Sequence, residues 1–394
     1  MSTDGGLLTT KQPAASTVKI RGAVLNTIGA DGPFDHTRPI TVDELDLRGP
    51  GPGELLVQIE AAGLCHSDLS VVNGARPRPV PMLLGHEAAG VVRSVGPDVD
   101  PALIGTRVVM TFLPRCGECD ACRTDGKLPC TEGSRSNEKG TLLEGTTRLT
   151  RDGQEVAHHL GVSGFATYAV VDQRSIVPVG KDVPPTVAAL LGCAVLTGGG
   201  ALLNAGGITE ESTVAIVGLG GVGMAGLLTA LAIGCKKIIA VDAQAPKLQL
   251  AREWGAHQAY TPEEVLELSI SADVVLEAVG HPAAFETAFQ LLAMGGTLVT
   301  VGLPAPGATA SIEPLRLTAK AQTIIGSYLG SAVPKRDVPV FERLWREGKL
   351  PLERLVSREI RLDDINEAMD TLASGTGIRQ VIKFDTPTAE RNSR

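Results

Sequence analysis

The sequence has no excess of positive charge: 36 Lys and Arg stand against 44 Asp and Glu, for a net charge of −8. A chain so balanced carries no electrostatic footprint for DNA, RNA or an anionic membrane surface, and neither kind of partner is expected. Charge is sparse altogether, at 20% of residues, while 43% are apolar. At 394 residues, that composition buries a large core and divides more naturally into two domains than one. The opening MSTDGGLLTTKQPAAST lacks the basic start, apolar run and small-residue cleavage site of a signal peptide. Export is not expected, and a cytoplasmic protein is. Internal repeats and low-complexity tracts are also missing. One stretch, residues 212–235, lacks charge over 24 residues, long enough to span a bilayer. Its cluster GLGGVG, set between β-rich TVAIV and an Ala/Leu-rich run, reads instead as a buried strand, turn and helix.

Cysteines are few and odd in number, seven in all, which argues against a disulfide framework and for metal binding in a reducing compartment. Four of them lie in CGECDACRTDGKLPC: Cys116, Cys119, Cys122 and Cys130, spaced C-x2-C-x2-C-x7-C. Intervals this short fold the chain back and aim four thiolates at one centre, as in a closed tetrahedral zinc site. Such a site contributes roughly 10 kcal/mol or more to the folding of a loop with few apolar residues. An iron–sulfur cluster and metal-free thiols are the alternatives. The other three are Cys65 in AAGLCHSDL, Cys193 in LLGCAVLTGGG and Cys235 in AIGCKKIIAVD. Cys65 ends the apolar, strand-like run ELLVQIEAAGLC, and GHEAAGVV, 21 residues on, offers His86 and Glu87. Two cysteines and a histidine make a zinc site with one open position. Spacing does not bring Cys193 to Cys65, and a buried thiol or core imidazole is the plainer account of each alone. Cys235 reads as a core thiol at a helix end.

Gly218, Gly220 and Gly223 fit G-x-G-x-x-G, with Gly221 inside the motif. The motif follows a strand, opens a helix and leads to a second strand, KIIAVD, ending in Asp242 nineteen residues past Gly223. Glycines let the backbone approach a pyrophosphate, whose charge meets the helix N-terminus. Asp242 suits both ribose hydroxyls and repels a 2′-phosphate, and Ala243 adds no positive charge, so NAD is favoured over NADP. Beyond it come helical PKLQLAREWG, strand DVVLEAVG, helical PAAFETAFQLLA, and strands GTLVTVGLP and TIIGSYLG. This alternation predicts an α/β fold with a doubly wound parallel sheet.

Taken in order, GLCHSDL, GHEAAGVVRSVG, CGECDACRTDGKLPC, LLGCAVLTGGG, VAIVGLGGVG and IIAVDAQAPKL resemble the zinc-dependent alcohol dehydrogenases of the medium-chain dehydrogenase/reductase family. The likeness covers residues 17 to 385, and residues 140–172 look like the branch that includes thiol-dependent formaldehyde dehydrogenases. It implies a Rossmann domain at 195–328 and a β-rich, GroES-like catalytic domain at 17–194 and 329–385, with tails at 1–16 and 386–394. It implies two zinc ions per chain, a structural one on the four clustered cysteines and a catalytic one on Cys65, His86 and Cys193. Asp68 becomes the acceptor for the His86 imidazole and Glu87 a carboxylate behind the metal; both otherwise read as surface carboxylates. Ser67 becomes the acceptor of the substrate proton. His66 and Arg379 become neighbours of the pyrophosphate, Lys247 a ribose contact, Val301, Leu303 and Leu329 backbone contacts to the carboxamide, and Val222 and Thr197 packing for the ring. A homodimer or homotetramer is implied as well.

The sequence departs from the family at two points. Ser70 stands where many relatives carry a relay histidine, so the proton exits through solvent or with help from His66. NGARPRPVP carries Arg76 and Arg78 where glutathione-linked enzymes use acidic residues. The expected substrate is therefore a primary alcohol or aldehyde, aromatic and allylic ones included. A mycothiol or glutathione adduct of formaldehyde is the alternative, and a non-catalytic NAD-sensing zinc module a remote one.

Overall fold

The β-branched pentads TVAIV and KIIAV form adjacent parallel strands, Thr213–Val217 and Lys237–Val241, in the computed structural model, which describes residues 17–385. The tails expected at 1–16 and 386–394 lie outside the described residues. Four more parallel strands complete the sheet: Gln258–Tyr260 beyond Lys237–Val241 on one side, then Ala272–Glu277, Leu292–Thr300 and Thr323–Gly326 on the other. Near-continuous apolar runs suit these strands because helices such as Gly221–Ile233 and Pro282–Gln290 cover the faces. The strand order reverses between Thr213–Val217 and Ala272–Glu277, which opens a crevice at their carboxyl ends.

The remaining chain is β-rich. Strand Glu54–Gly63, buried at all ten positions, pairs with Ala88–Val95, Tyr168–Asp172 and the returning strand Arg379–Lys383 in a seven-stranded sheet. A closed five-stranded barrel, begun by Thr17–Leu25 and Ile40–Arg48, sits beside it. The helical run Pro185–Ala205 joins the units: its first part packs on Glu54–Gly63 and its last on Gly221–Ile233. At 21 residues it is long and apolar enough to cross a membrane, with mean hydropathy 1.9 over an 18-residue window, yet 83% of that window is buried.

Two elements differ from the sequence reading. The helix predicted through PAAFETAFQLLA stops at Gln290, and Leu292–Thr300 is already a strand that pairs with Ala272–Glu277 across a register shift. The strand predicted through TIIGSYLG ends at Gly326, because Leu329, Gly330 and Ser331 all turn left-handed, with φ of 52°, 68° and 51°.

Barrel residue His158 is buried, and its Nε2 accepts the Arg148 N–H at 3.2 Å. Burial, with the Arg148 charge a lesser cause, holds its pKa down at about 3. The unfolded chain protonates near the ordinary 6.5. The stability held by the neutral ring is therefore complete above that value and falls by up to about 1.4 kcal/mol per pH unit below it, down to the folded pKa. His158→Gln is expected to flatten the Tm profile between pH 7 and pH 5. Equally steep profiles for both proteins would remove His158 as a cause of acid sensitivity.

Candidate active site

Cys65 lies where strand Glu54–Gly63 hands over to the short helix His66–Val72, as its N-cap. Asp68, in that helix's first turn, accepts the Cys65 backbone N–H at 3.0 Å with Oδ2, while its Oδ1 lies 2.9 Å from His86 Nδ1. The carboxylate thus closes the helix end and sets the tautomer of His86: a proton on Nδ1 leaves the Nε2 lone pair free. Cys193 arrives from the helix Pro185–Ala205, in a π-type turn at Leu191–Val195. Gly192 permits that approach, since a Cβ there would lie 2.0 Å from the Met110 carbonyl oxygen.

The donor atoms of Cys65, His86, Glu87 and Cys193 all lie within 4.8 Å of one another, and all four residues are buried. Cys193 Sγ is 3.5 Å from His86 Nε2. A tetrahedral zinc with Zn–S of about 2.3 Å and Zn–N of about 2.0–2.1 Å has an S···N edge of about 3.6 Å and an S···S edge of about 3.8 Å. The donor set fits a zinc ion. The thiol of Cys193, which donates toward Cys65, holds the Cys65 thiol well below its ordinary range against the effect of burial. Burial alone pushes Asp68 up, but His86 and His159 overcome it and hold the carboxyl down at about 2. Both Glu87 oxygens are buried without a hydrogen-bond partner. Burial raises its pKa to about 7 against the opposing charge of Arg379, 3.8 Å away.

The four clustered cysteines converge as well. Cys116 and Cys122 Sγ are 3.8 Å apart and Cys119 and Cys130 Sγ 4.0 Å apart, close to the edges of a four-thiolate zinc site. Burial pushes the Cys130 thiol up, and the backbone N–H groups of Cys116 and Gly133, donating to its Sγ at 3.3 and 3.4 Å, oppose that shift without cancelling it.

The crevice between the units has a volume of about 270 Å³ and is lined by Cys65, His66, Gly218–Val222, Asp242, Lys247 and Arg379, among others. A Cβ on Gly223 would lie 1.8 Å from the Gly218 carbonyl oxygen, so that glycine serves helix–strand packing. A Cβ on Gly220 would meet no protein atom within 4 Å, so its bareness matters only to something bound in the crevice. Asp242 accepts the N–H groups of Leu219 at 2.8 Å and Gln244 at 2.9 Å, one with each oxygen. Arg379 is buried. It donates to the Leu64 carbonyl at 2.6 Å, and a Cβ on Gly221 would lie 2.6 Å from its guanidinium.

A smaller cavity, of about 40 Å³, is lined by Ser67, His86, Phe112, His159, Leu160 and Tyr328, together with Arg76, Arg78 and Leu303. Ser67 is half-buried there beside His86. Ser70 is spent within its helix, donating to the His66 carbonyl at 2.8 Å. Of the other expected residues, Leu303 lines this smaller cavity and its carbonyl accepts from Arg76 at 2.9 Å. Thr197 and Leu329 are buried and Val301 half-buried, and none of the three lines either cavity. Cys235 is buried at the end of helix Gly221–Ile233, its N–H donating to the Ala230 carbonyl at 3.1 Å. Sequence reasoning missed His159, whose Nδ1 lies 3.2 Å from Asp68 and whose ring meets His86 edge-on. It also missed Gln244, Phe112 and Tyr328. The doubled histidine in VAHHLG was the one visible signal, and no spacing ties it to the metal ligands.

A reversing parallel sheet, a glycine-cradled crevice and a buried thiolate–imidazole cluster beside it together define a zinc-binding dehydrogenase. Comparisons agree. The family model for the alcohol dehydrogenase GroES-like domain matches residues 51–181, and that for zinc-binding dehydrogenase matches 221–346. "Putative alcohol dehydrogenase D" of Mycobacterium tuberculosis is 36% identical over 89% of this chain and 97% of its own length. Benzyl alcohol dehydrogenase from Acinetobacter calcoaceticus superposes with a TM-score of 0.85 at 33% identity, covering 93% of this chain and 100% of that one. An alcohol dehydrogenase zinc-binding domain protein from Burkholderia ambifaria does so at 0.88 and 32%, covering 94% and 100%. The chain belongs to the zinc-dependent alcohol dehydrogenases of the medium-chain dehydrogenase/reductase family.

Proposed function

We propose that the protein oxidises a primary alcohol with NAD, giving the aldehyde, NADH and a proton, and catalyses the reverse. The observation that carries this reading is the setting of the donor cluster: Cys65 lines the crevice and His86 lines the smaller cavity. Cys65, His86 and Cys193 would hold a zinc ion, which would supply Lewis-acid chemistry. The turn Gly218–Val222, with Asp242, Lys247 and Arg379, would hold NAD, which would supply the hydride acceptor. The chain's own residues do the rest. Asp68 orients His86. Arg379 and Lys247 offer positive charge along the crevice, and Asp242 at its ribose end disfavours a 2′-phosphate. Phe112, Leu160 and Tyr328 wall the reacting carbon from water. Ser67 Oγ takes the hydroxyl proton. Since Ser70 is bonded back to the His66 carbonyl, the proton leaves on the crevice side, past the exposed His66. We place it in a reducing, cytoplasmic setting on the odd number of cysteines and the metal-donor spacing of four of them.

Ser67→Ala is expected to lower turnover by roughly two or more orders of magnitude, a general acid–base loss. An unchanged rate at saturating alcohol removes Ser67 from the mechanism. The reading itself is tested by NADH absorbance with zinc-replete protein and a panel of aliphatic, benzylic and allylic alcohols, with NADP in parallel. Formaldehyde, with and without glutathione or mycothiol, completes the panel. Preference for NADP, or turnover only of a thiol adduct, would sink it.

A further inference from the structure

The smaller cavity carries two positive charges that nothing yet described uses. Arg76 and Arg78 line it together with Ser67 and His86, so they belong to the pocket that His86 lines and not to the nucleotide crevice. Each guanidinium is held by a single carbonyl: Arg76 Nη2 donates to Leu303 O at 2.9 Å, and Arg78 Nη1 to Asn137 O at 3.3 Å. A carbonyl positions an arginine without neutralising it. Among the described residues neither guanidinium lies within ion-pair distance of a carboxylate, whereas Arg107, Arg148 and Arg174 are each 2.7 Å from one.

The two are also held in place. The Arg76 backbone N–H donates to the Ser70 carbonyl at 2.7 Å, which pins it to the end of the helix that begins at His66. Asn137, which anchors Arg78, is itself buried and donates to the Phe112 carbonyl at 2.7 Å. Burial, more than the like charge of Arg78, weighs against the charge of Arg76. Two half-buried, pre-positioned cations with most of their N–H groups free, in a chain of net charge −8, are arranged to receive an anion. Guanidinium forks match the planar carboxylate and the phosphate oxygens.

We infer that the alcohol or aldehyde this enzyme takes bears an anionic group, a carboxylate or a phosphate, at the end remote from the reacting carbon. That group is held by Arg76 and Arg78, while Phe112, Leu160 and Tyr328 pack on the carbon skeleton between. The inference rests on the dehydrogenase reading and adds the substrate class to it.

Matched pairs test it. Benzyl alcohol against 4-(hydroxymethyl)benzoate and 1-propanol against 3-hydroxypropanoate form the carboxylate arm, and the monophosphate of 1,3-propanediol against the diol forms the phosphate arm. In at least one arm the anionic member is expected to show kcat/KM at least tenfold higher, and added salt is expected to narrow the gap. In the double variant Arg76→Gln, Arg78→Gln the ratio is expected to fall towards one, while Arg78→Lys retains part of it. Binding to zinc-replete protein with NADH, measured by calorimetry, supplies a readout apart from turnover: benzoate or phenyl phosphate is expected to bind at least tenfold tighter than benzamide. Turnover of the neutral alcohols with no anionic preference in either arm overturns the inference and leaves the dehydrogenase reading intact. No turnover of any member overturns that reading and the inference with it.

Discussion

Replacing His86 with alanine is expected to lower kcat by about four orders of magnitude and to reduce the metal content from two zinc ions per chain to one. The size follows from what the metal supplies. Lewis-acid stabilisation of charge at the substrate oxygen is worth several kcal/mol, and about 5–6 kcal/mol corresponds to about four orders of magnitude. Without the imidazole, Cys65 and Cys193 keep only the Glu87 carboxylate as a third donor, and that carboxylate faces Arg379 at 3.8 Å. The fold is expected to survive, because Asp68 keeps the Cys65 N–H as a hydrogen-bond partner at 3.0 Å, with the His159 ring 3.2 Å away. NADH binding, followed by fluorescence, is expected to persist, since Asp242, Lys247 and the glycine turn lie elsewhere in the crevice. Two zinc ions retained, or turnover near that of the parent, would show that the buried cluster is not the metal site of the reaction.

The legible parts of this site were those built from short range in sequence. Cys65 and Asp68 share one helical turn, so the motif CHSD, read through the family resemblance, carried both a donor of the buried cluster and the carboxylate that lies against His86. TVAIV and KIIAV became strands at the positions read, because β-branched runs bounded by glycine or aspartate leave little choice of boundary. The strand at residue 292 was hidden because LLAMGG continues an apolar helical pattern. Met294 nevertheless sits in that strand and is 80% exposed. Tertiary pairing with Ala272–Glu277 outweighed the local pattern there. The barrel was not legible either: one of its five strands is only Met82–Leu83, too short to show a period. The smaller cavity was the least legible part. Arg76, Phe112, His159, Leu303 and Tyr328 come from five separate segments, and only long-range packing brings them together.

Cys130→Ala is expected to remove the other zinc ion and to destabilise the chain far more than an ordinary core substitution. Cys130 is fully buried, accepts two backbone N–H bonds and caps the helix Thr131–Lys139, so its sulfur is at once a metal donor and a helix cap. Structural zinc sites supply roughly 10 kcal/mol or more to folding in isolated modules. Even half of that corresponds to a Tm loss of about 10 °C or more in a large domain. The damage is expected to travel. Gly126 of the lobe packs on the Ser331 carbonyl, leaving no room for a Cβ, and Asp125 pairs with Arg336 at 2.7 Å. Arg336 in turn reaches Asn204, which donates to the Gly330 carbonyl at 3.1 Å. These contacts hold the turn in which Leu329 and Ser331 are left-handed without being glycine, a conformation that costs about 1–3 kcal/mol each and persists only where the surroundings enforce it. Tyr328, next in the chain, walls the smaller cavity. KM for the alcohol is therefore expected to rise in Cys130→Ala even under conditions where the variant stays folded, and limited proteolysis is expected to cut within 116–130. Metal analysis and Tm decide the matter: an unchanged Tm with two zinc ions bound would mean that the four thiolates do not staple this lobe, and visible absorbance with bound iron in the parent protein would replace zinc by an iron–sulfur cluster.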